Sequence, residues 1–179
     1  MDGPFVVGAH SYGATVATLL TQAHPDAVLG LVFVDPQPPS QSADWLAALP
    51  PRAEGESPGI TAWRDDIEGF QADPSMNAEH VHLRDSFDAA TAALDAPGPL
   101  FGDRPVIVLQ AERTPNVWHD LPPELESTFT AIWSSAQQAL ADESTAGSLQ
   151  AVPDTGHNIQ VEAPTAVITA LESVLADLR

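Results

Sequence analysis

The sequence predicts an α/β fold in which about four parallel strands form one sheet with helices packed against it. Three observations lead to this prediction: short apolar segments suited to buried strands, apolar stripes at helical spacing between them, and turn residues at the boundaries. The chain has 179 residues, 44% of them hydrophobic, which is enough for one domain with a real core. We therefore take residues 1–179 as a single domain.

Four segments have the composition of parallel strands that are buried on both faces. They are Phe5–Ala9, Val28–Val34, Pro105–Leu109 and Ser148–Val152. Between the first two, Ala14–Ala23 is apolar on most sides and stops before Pro25, as a short helix packed on a sheet would. The first 35 residues therefore predict one β-α-β unit.

Two apolar stripes predict helices after the third and fourth strands. The first contains Leu125, Phe129, Ile132, Trp133, Ala136 and Leu140. The second follows Pro164, which suits the first turn of a helix, and places its apolar residues on one face. These residues are Val167, Ile168, Leu171, Val174, Leu175 and Leu178.

Residues 36–104 interrupt the alternation of strands and helices. This segment carries most of the prolines and no strong strand signal, and its aromatic and aliphatic residues recur at helical spacing. They are Trp45, Leu46 and Leu49, then Trp63, Ile67 and Phe70, then Phe87, Thr91 and Leu94. We predict an inserted, partly helical lid whose apolar residues pack against the body of the domain.

The charge and cysteine content exclude several classes of function. Six Arg, no Lys and 25 acidic residues give a net charge of -19, which would repel nucleic acid and an anionic membrane surface. The absence of Cys excludes disulfides, thiolate metal sites and a Cys nucleophile. No basic leader and no apolar segment of the ~18 residues that a membrane span needs is found, so we predict a soluble, cytoplasmic protein.

Ser11 lies where the first strand gives way to the first helix, in the sequence FVVGAHSYGATVA. It is flanked two residues away by Ala9 and Gly13, and such a turn needs small flanking residues because strand and helix cross there. The helix N-terminus beside Ser11 favours developing negative charge. These features predict a nucleophilic serine.

This string resembles the nucleophile elbow of the α/β-hydrolase family, Gly-x-Ser-x-Gly, with Ala9 replacing the first Gly. The resemblance implies a partial α/β-hydrolase fold and an esterase-like serine hydrolase that needs no cofactor. It also implies that the Tyr12 N–H is one oxyanion-hole donor. A His is then expected in the loop after the last strand, and His157 stands there as the general base.

The acid that would orient His157 has two candidates. The family usually has Asp just after the strand that corresponds to Pro105–Leu109, but that position is occupied by Thr114. Some members place the acid after the strand that follows the elbow, where Asp35 stands, and strands ~4.8 Å apart would allow it to reach His157. We predict Asp35 and keep Glu112 open, whereas Asp120 is interpreted as a helix cap.

The remaining histidines predict no metal site. His10 fills a variable position of the elbow, and His24 ends a helix. His80 and His82 would share one face of an extended segment, but we find no third ligand. A nucleotide-binding domain would need a GxGxxG or P-loop sequence, and neither is found.

The family's fold begins with several strands before the elbow strand, whereas here only four residues precede that strand. We therefore expect a domain that lacks the N-terminal strands, with an exposed first strand through which the chain could self-associate. A truncated module with a structural or ligand-binding role stays an alternative to an enzyme. For an enzyme, Trp45, Trp63 and Phe70 indicate a small apolar or ester-type substrate.

Overall fold

The computed structural model describes residues 3–76, 80–113 and 121–178 and shows one sheet of four parallel strands. The strands are β1 (Phe5–His10), β2 (Val28–Val34), β3 (Gly102–Ala111) and β4 (Ser144–Val152). Their order in the sheet follows their order in the chain. The predicted fold class is confirmed.

β3 and β4 both begin earlier than the apolar pattern predicts. The two strands already pair at Gly102 with Ser144, three residues before Pro105 in β3 and four before Ser148 in β4. Backbone hydrogen bonds between the two strands define these additional residues, and such bonds cannot be predicted from side-chain hydrophobicity. The lid boundary predicted at residue 104 therefore falls inside β3.

Helices connect and cover the strands. In chain order they are α1 (Gly13–Ala23), α2 (Gln41–Ala48), α3 (Pro58–Ala72), α4 (Leu83–Leu94), α5 (Pro123–Asp142), α6 (Ile159–Glu162) and α7 (Pro164–Asp177). α2, α3 and α4 lie between β2 and β3, in the segment where the aromatic spacing predicts helices. Short 3₁₀ turns occur at Pro25–Ala27 and Pro74–Met76.

Alternate residues of the central strands face two separate cores, as expected of a parallel sheet covered on both sides. Leu31 and Phe33 of β2 pack in a cluster with residues of α1 and the end of α5. Val32 and Val34 face a second cluster, which contains residues of α2, α3, α5 and α7. The aromatic residues Trp45 and Trp63 belong to this second core, so the prediction that they pack against the body is confirmed.

The apolar face predicted for α7 is only partly buried. Ala170 and Val174 are buried against the sheet, whereas Ile168 and Leu175 are 54% and 47% exposed. The buried residues Ala170 and Val174 are four positions apart, so α7 contacts the sheet through one narrow face. Residues 168 and 175 stand about 100° around the helix axis from 167 and 174, and they therefore point away from that face.

β1 forms one edge of the sheet and pairs with β2, while β4 forms the other edge. Phe5 at the start of β1 is 39% exposed. Edge strands can pair with other chains, so self-association through β1 stays a prediction. Among the described helices, none has the length and hydrophobicity required to span a membrane.

Candidate active site

Ser11 occupies a strained turn at the carboxyl end of β1. Its φ of +53° lies in the left-handed region that residues other than glycine rarely adopt. The Ser11 N–H donates to the Val34 carbonyl over 3.2 Å, and the Gln37 N–H donates to the Ser11 carbonyl over 3.1 Å. Hydrogen bonds to β2 and to the segment after it therefore hold this backbone in place.

The two small residues around Ser11 lie close together, as the sequence argument requires. A Cβ atom placed on Gly13 would lie 3.7 Å from the Cβ atom of Ala9. A methyl group could be accommodated there, but a longer side chain at either position would push α1 away from β1. Ala9 therefore serves as well as the glycine that the family pattern has at this position.

Ser11, His157 and Asp35 form one continuous line of polar contacts. Nε2 of His157 lies 3.0 Å from Oγ of Ser11, and Nδ1 of His157 lies 2.7 Å from Oδ2 of Asp35. Because a carboxylate oxygen only accepts hydrogen bonds, the assigned tautomer places the proton on Nδ1. Nε2 is then free to accept the Ser11 hydroxyl proton, and the imidazole is 39% exposed to incoming molecules.

Asp35 is held rigidly at the end of β2. Its side chain is 1% exposed, and its backbone has a φ of +39°. The Asp35 N–H donates to the Leu109 carbonyl over 2.7 Å, and Oδ1 accepts a hydrogen bond from the Ala111 N–H over 3.1 Å. One carboxylate oxygen therefore faces β3 while the other faces His157.

The alternative acid, Glu112, contacts a different group. Its exposed carboxylate accepts a hydrogen bond from the Asp154 N–H over 2.7 Å. It thus anchors the loop that carries His157 but does not contact the imidazole. Thr114 and Asp120 lie outside the described residues.

Further contacts fix the loop between β4 and α6. The Arg113 N–H donates to the Thr155 carbonyl over 2.9 Å, and the Gly156 N–H donates to Glu162 over 3.1 Å. The Glu162 carboxylate also forms an ion pair with the Arg113 guanidinium. Glu162 was not predicted from the sequence, although its position five residues after His157, at the end of α6, could have indicated a contact with this loop.

His10 contacts His157 directly. Nε2 of His10 lies 2.9 Å from the His157 carbonyl oxygen, and the two ring centroids are 4.6 Å apart. Burial lowers the pKa of His10 and favours its neutral form. The sequence argument treated His10 as a variable elbow residue, because its partner is distant in the chain.

Tyr12 contributes its backbone and its side chain in different directions. The Tyr12 N–H, adjacent to Ser11, has no hydrogen-bond acceptor among the described residues. The side-chain hydroxyl donates to Oγ of Ser86 over 3.0 Å, and the ring packs edge-on against Phe87. The side chain thus joins the elbow to α4, and the N–H lies beside the serine.

A cavity of about 400 Å³ opens onto Ser11 and His157. Its walls are mainly aromatic and aliphatic, with several amides and two carboxylates. The lining residues beyond Ser11 and His157 are Asp35, Pro36, Gln37, Gln41, Ser42, Trp45, Trp63, Asp66, Ile67, Phe70, Gln71 and Trp133. The sequence argument anticipated Trp45, Trp63 and Phe70, but it placed Trp133 only on a helix stripe and overlooked Gln41 and Asp66.

Metal ligands are not brought together in the part of the chain that the structure describes. There, no group of three or more His, Cys, Asp or Glu side chains is arranged to hold an ion. His24 is exposed directly after α1, at the opposite end of this helix from the elbow. His80 and His82 lie in the segment before α4.

Comparison with known proteins agrees with this architecture. The model of the Alpha/beta hydrolase family matches residues 1–170, and the chain therefore belongs to the α/β-hydrolase family. The predicted family is confirmed. No curated protein sequence matches the chain.

Solved structures share the fold at low sequence identity. The proposed non-heme bromoperoxidase BpoC from Mycobacterium tuberculosis is 21% identical, with a TM-score of 0.52, over 98% of this chain and 68% of its own. A malate-bound thermophilic esterase from Thermogutta terrifontis is 20% identical, with a TM-score of 0.53, over 98% of this chain and 65% of its own. The peroxisomal α/β-hydrolase Lpx1 from Saccharomyces cerevisiae is 13% identical, with a TM-score of 0.54, over 97% of this chain and 52% of its own. At these identities the likeness shows the fold alone.

Proposed function

We propose that the chain is a serine hydrolase that cleaves an ester-like bond through an acyl-enzyme. The observation that carries the proposal is the line of contacts from Ser11 through His157 to the buried Asp35, at the mouth of an apolar cavity. Such a line lets a serine hydroxyl lose its proton as it attacks a carbonyl carbon. The bond cleaved would be a carboxylic ester, a thioester, an amide or an activated carbon–carbon bond.

In the proposed reaction, Ser11 Oγ attacks the substrate carbonyl while His157 Nε2 accepts the hydroxyl proton. Asp35 stabilises the imidazolium that forms, and the Tyr12 N–H donates to the oxyanion. His157 then returns the proton to the leaving group, which departs as an alcohol, thiol, amine or carbon acid. Water, deprotonated by His157, releases the acyl group from Ser11 in the second half of the reaction.

We further propose that the segment between β2 and β3 acts as a lid whose helices α2 and α3 form one wall of the substrate cavity. α2 and α3 contribute Gln41, Trp45, Trp63 and Ile67 to the lining, and Trp133 of α5 lies in the same cavity. These walls favour a small apolar acyl or alcohol group, because its burial releases water from apolar surface.

The charged residues that line the cavity favour uncharged substrates over anionic ones. Its described lining contains Asp35 and Asp66 but no Lys or Arg. The chain has no Lys, and Arg52, Arg64 and Arg113 are each paired with carboxylates elsewhere. A substrate carboxylate or phosphate would therefore meet like charge without a cation to pair with.

Fluorophosphonate labelling of Ser11, located by mass spectrometry, tests the proposed nucleophile. We expect stoichiometric labelling of the wild-type protein and none of Ser11→Ala. Turnover should be measured first with an activated 4-nitrophenyl ester, because 4-nitrophenolate departs without needing a proton from His157. Failure of both labelling and turnover would favour a ligand-binding module instead.

Charge selection is tested with two acyl chains of matched length, 4-nitrophenyl pentanoate and mono-4-nitrophenyl glutarate. We expect kcat/KM to be at least about tenfold lower for the anionic ester, from like-charge repulsion across the cavity. Asp66→Asn should narrow this ratio by raising kcat/KM for the anionic ester relative to the neutral one. Equal rates for both esters would contradict charge selection without affecting the nucleophile assignment.

A further inference from the structure

His10 stands at the contact between the elbow and the loop of the proposed base. It directly precedes Ser11, so the elbow that fixes the serine also fixes His10. Its Nε2 lies 2.9 Å from the His157 carbonyl oxygen, and the two rings are inclined at 43° with centroids 4.6 Å apart. The proposed reaction makes no use of His10.

The direction of this hydrogen bond follows from chemistry. A carbonyl oxygen only accepts, so Nε2 of His10 carries the proton and donates it. The charged or titratable groups that face His10 are His157 and Asp35. Burial is the main cause that lowers the pKa of His10, while the hydrogen bond to the His157 carbonyl acts in the opposite direction; the net lowering favours the neutral ring.

The His157 backbone requires such an anchor because its ring must meet two fixed groups at once. Nδ1 contacts Asp35 at the end of β2, and Nε2 contacts Ser11 at the end of β1. The other hydrogen bonds of the loop act on Asp154, Thr155 and Gly156 before residue 157 and on the Asn158 carbonyl after it. The His10 hydrogen bond acts on residue 157 itself.

We propose that His10 is a positioning residue that fixes the His157 backbone and thereby the distance between His157 Nε2 and Ser11 Oγ. The proposal rests on the proposed function of Ser11 and His157. It assigns a specific role to the first variable position of the elbow, which the sequence pattern leaves undefined. His10 does not touch the reacting atoms, and its effect is transmitted through the backbone of His157.

Three substitutions separate this role from simple packing. His10→Gln places an amide N–H close to the position of Nε2 and keeps the donor without a titratable ring. His10→Asn is polar but shorter, so its amide does not reach the His157 carbonyl. His10→Leu keeps side-chain volume and removes the donor, and His24→Gln serves as a control at an exposed histidine.

Steady-state kinetics with 4-nitrophenyl pentanoate give the first readout. We expect His10→Asn and His10→Leu to lower kcat about tenfold, which corresponds to one lost hydrogen bond, with KM unchanged. His10→Gln should stay within about threefold of the wild-type kcat. A wild-type kcat in His10→Asn would overturn the proposal, and so would an equal loss of kcat in His10→Gln and His10→Asn. The comparison of these two variants remains decisive even if His10→Leu does not fold.

The second readout does not depend on turnover. The proton shared by His157 Nδ1 and Asp35 should give a far-downfield proton NMR resonance in the wild type, His10→Gln and His24→Gln. We expect it to shift or broaden in His10→Asn and His10→Leu. If no ester were hydrolysed but this pattern held, the reaction assignment would fail while the positioning role would stand; an unchanged resonance in His10→Asn would refute the positioning role.

Discussion

Oδ2 of Asp35 lies 2.7 Å from Nδ1 of His157, although the two residues are separated by 122 positions in the chain. Asp35 directly follows the second strand of a parallel sheet, and His157 follows the fourth. All four strands run in the same direction, so both residues lie at the carboxyl edge of the sheet, beside Ser11. Ligands of open α/β sheets bind at this edge.

The proposed nucleophile and base should act as one unit. We expect Ser11→Ala and His157→Ala each to lower kcat for an activated ester by more than about a thousandfold, and the double variant to be no slower than either. His24→Ala, at an exposed histidine on α1, should keep wild-type activity. Appreciable turnover by Ser11→Ala would exclude the acyl-enzyme route.

The two candidate acids should respond differently to loss of charge. Asp35→Asn retains the shape of the side chain but favours the wrong imidazole tautomer, so we expect kcat to fall about 10⁴-fold. Glu112→Gln alters only the contact with the Asp154 N–H, and kcat should change by less than about threefold. The opposite ranking in steady-state assays would assign the acid to Glu112.

Gly147 should not tolerate a side chain, whereas Gly69 should. A Cβ atom on Gly147 would lie 1.9 Å from the carbonyl oxygen of Ala141, which is backbone and cannot move aside readily. We expect Gly147→Ala to lower the free energy of unfolding by at least about 2 kcal/mol. Gly69, inside α3, has no heavy atom within 4 Å of the added methyl, so Gly69→Ala should stabilise by about 0.5–1 kcal/mol.

Both glycine variants can be measured by urea denaturation monitored through tryptophan fluorescence. Equal midpoints for Gly147→Ala and the wild type would show that α5 and β4 are not packed as described.

The ion pair between Glu56 and Arg64 should make stability depend on acid pH. The hydrogen bond from Arg64 holds the pKa of Glu56 below its ordinary value of 4.5, since it favours the charged carboxylate. A lowered folded-state pKa stabilises the fold above the unfolded pKa and loses this effect as the pH falls. The contribution should therefore be complete above about pH 5 and decline toward pH 3.

Denaturation of the wild type and Glu56→Gln at several pH values tests whether the stabilisation by Glu56 decreases as the pH falls. The difference between their free energies of unfolding should be largest near pH 6 and should shrink as the solution is acidified. Glu68→Gln removes a carboxylate from an exposed pair with Arg52 and should have little effect at any pH. A difference that grows toward low pH would contradict the prediction.

The sequence alone predicted the features that depend on local patterns. The apolar segments indicated the four strands, and β2 was predicted with its observed bounds, Val28–Val34, because its residues are buried on both faces. The small residues around Ser11 predicted the elbow, and the resemblance to the α/β-hydrolase family predicted a base at His157. The local pattern was less informative for α7, because it did not distinguish the buried Val174 from its exposed apolar neighbour Leu175.

Only the tertiary structure decided the contacts between distant segments. The sequence predicted Asp35 and kept Glu112 open as the alternative. In the structure, Asp35 contacts His157, whereas Glu112 contacts the Asp154 N–H. The contact of His10 with His157 and the entry of Trp133 into the cavity also depend on how the strands and α5 pack. His10 and Asp35 lie 147 and 122 positions from His157 in the chain, so local sequence patterns do not specify their contacts with it.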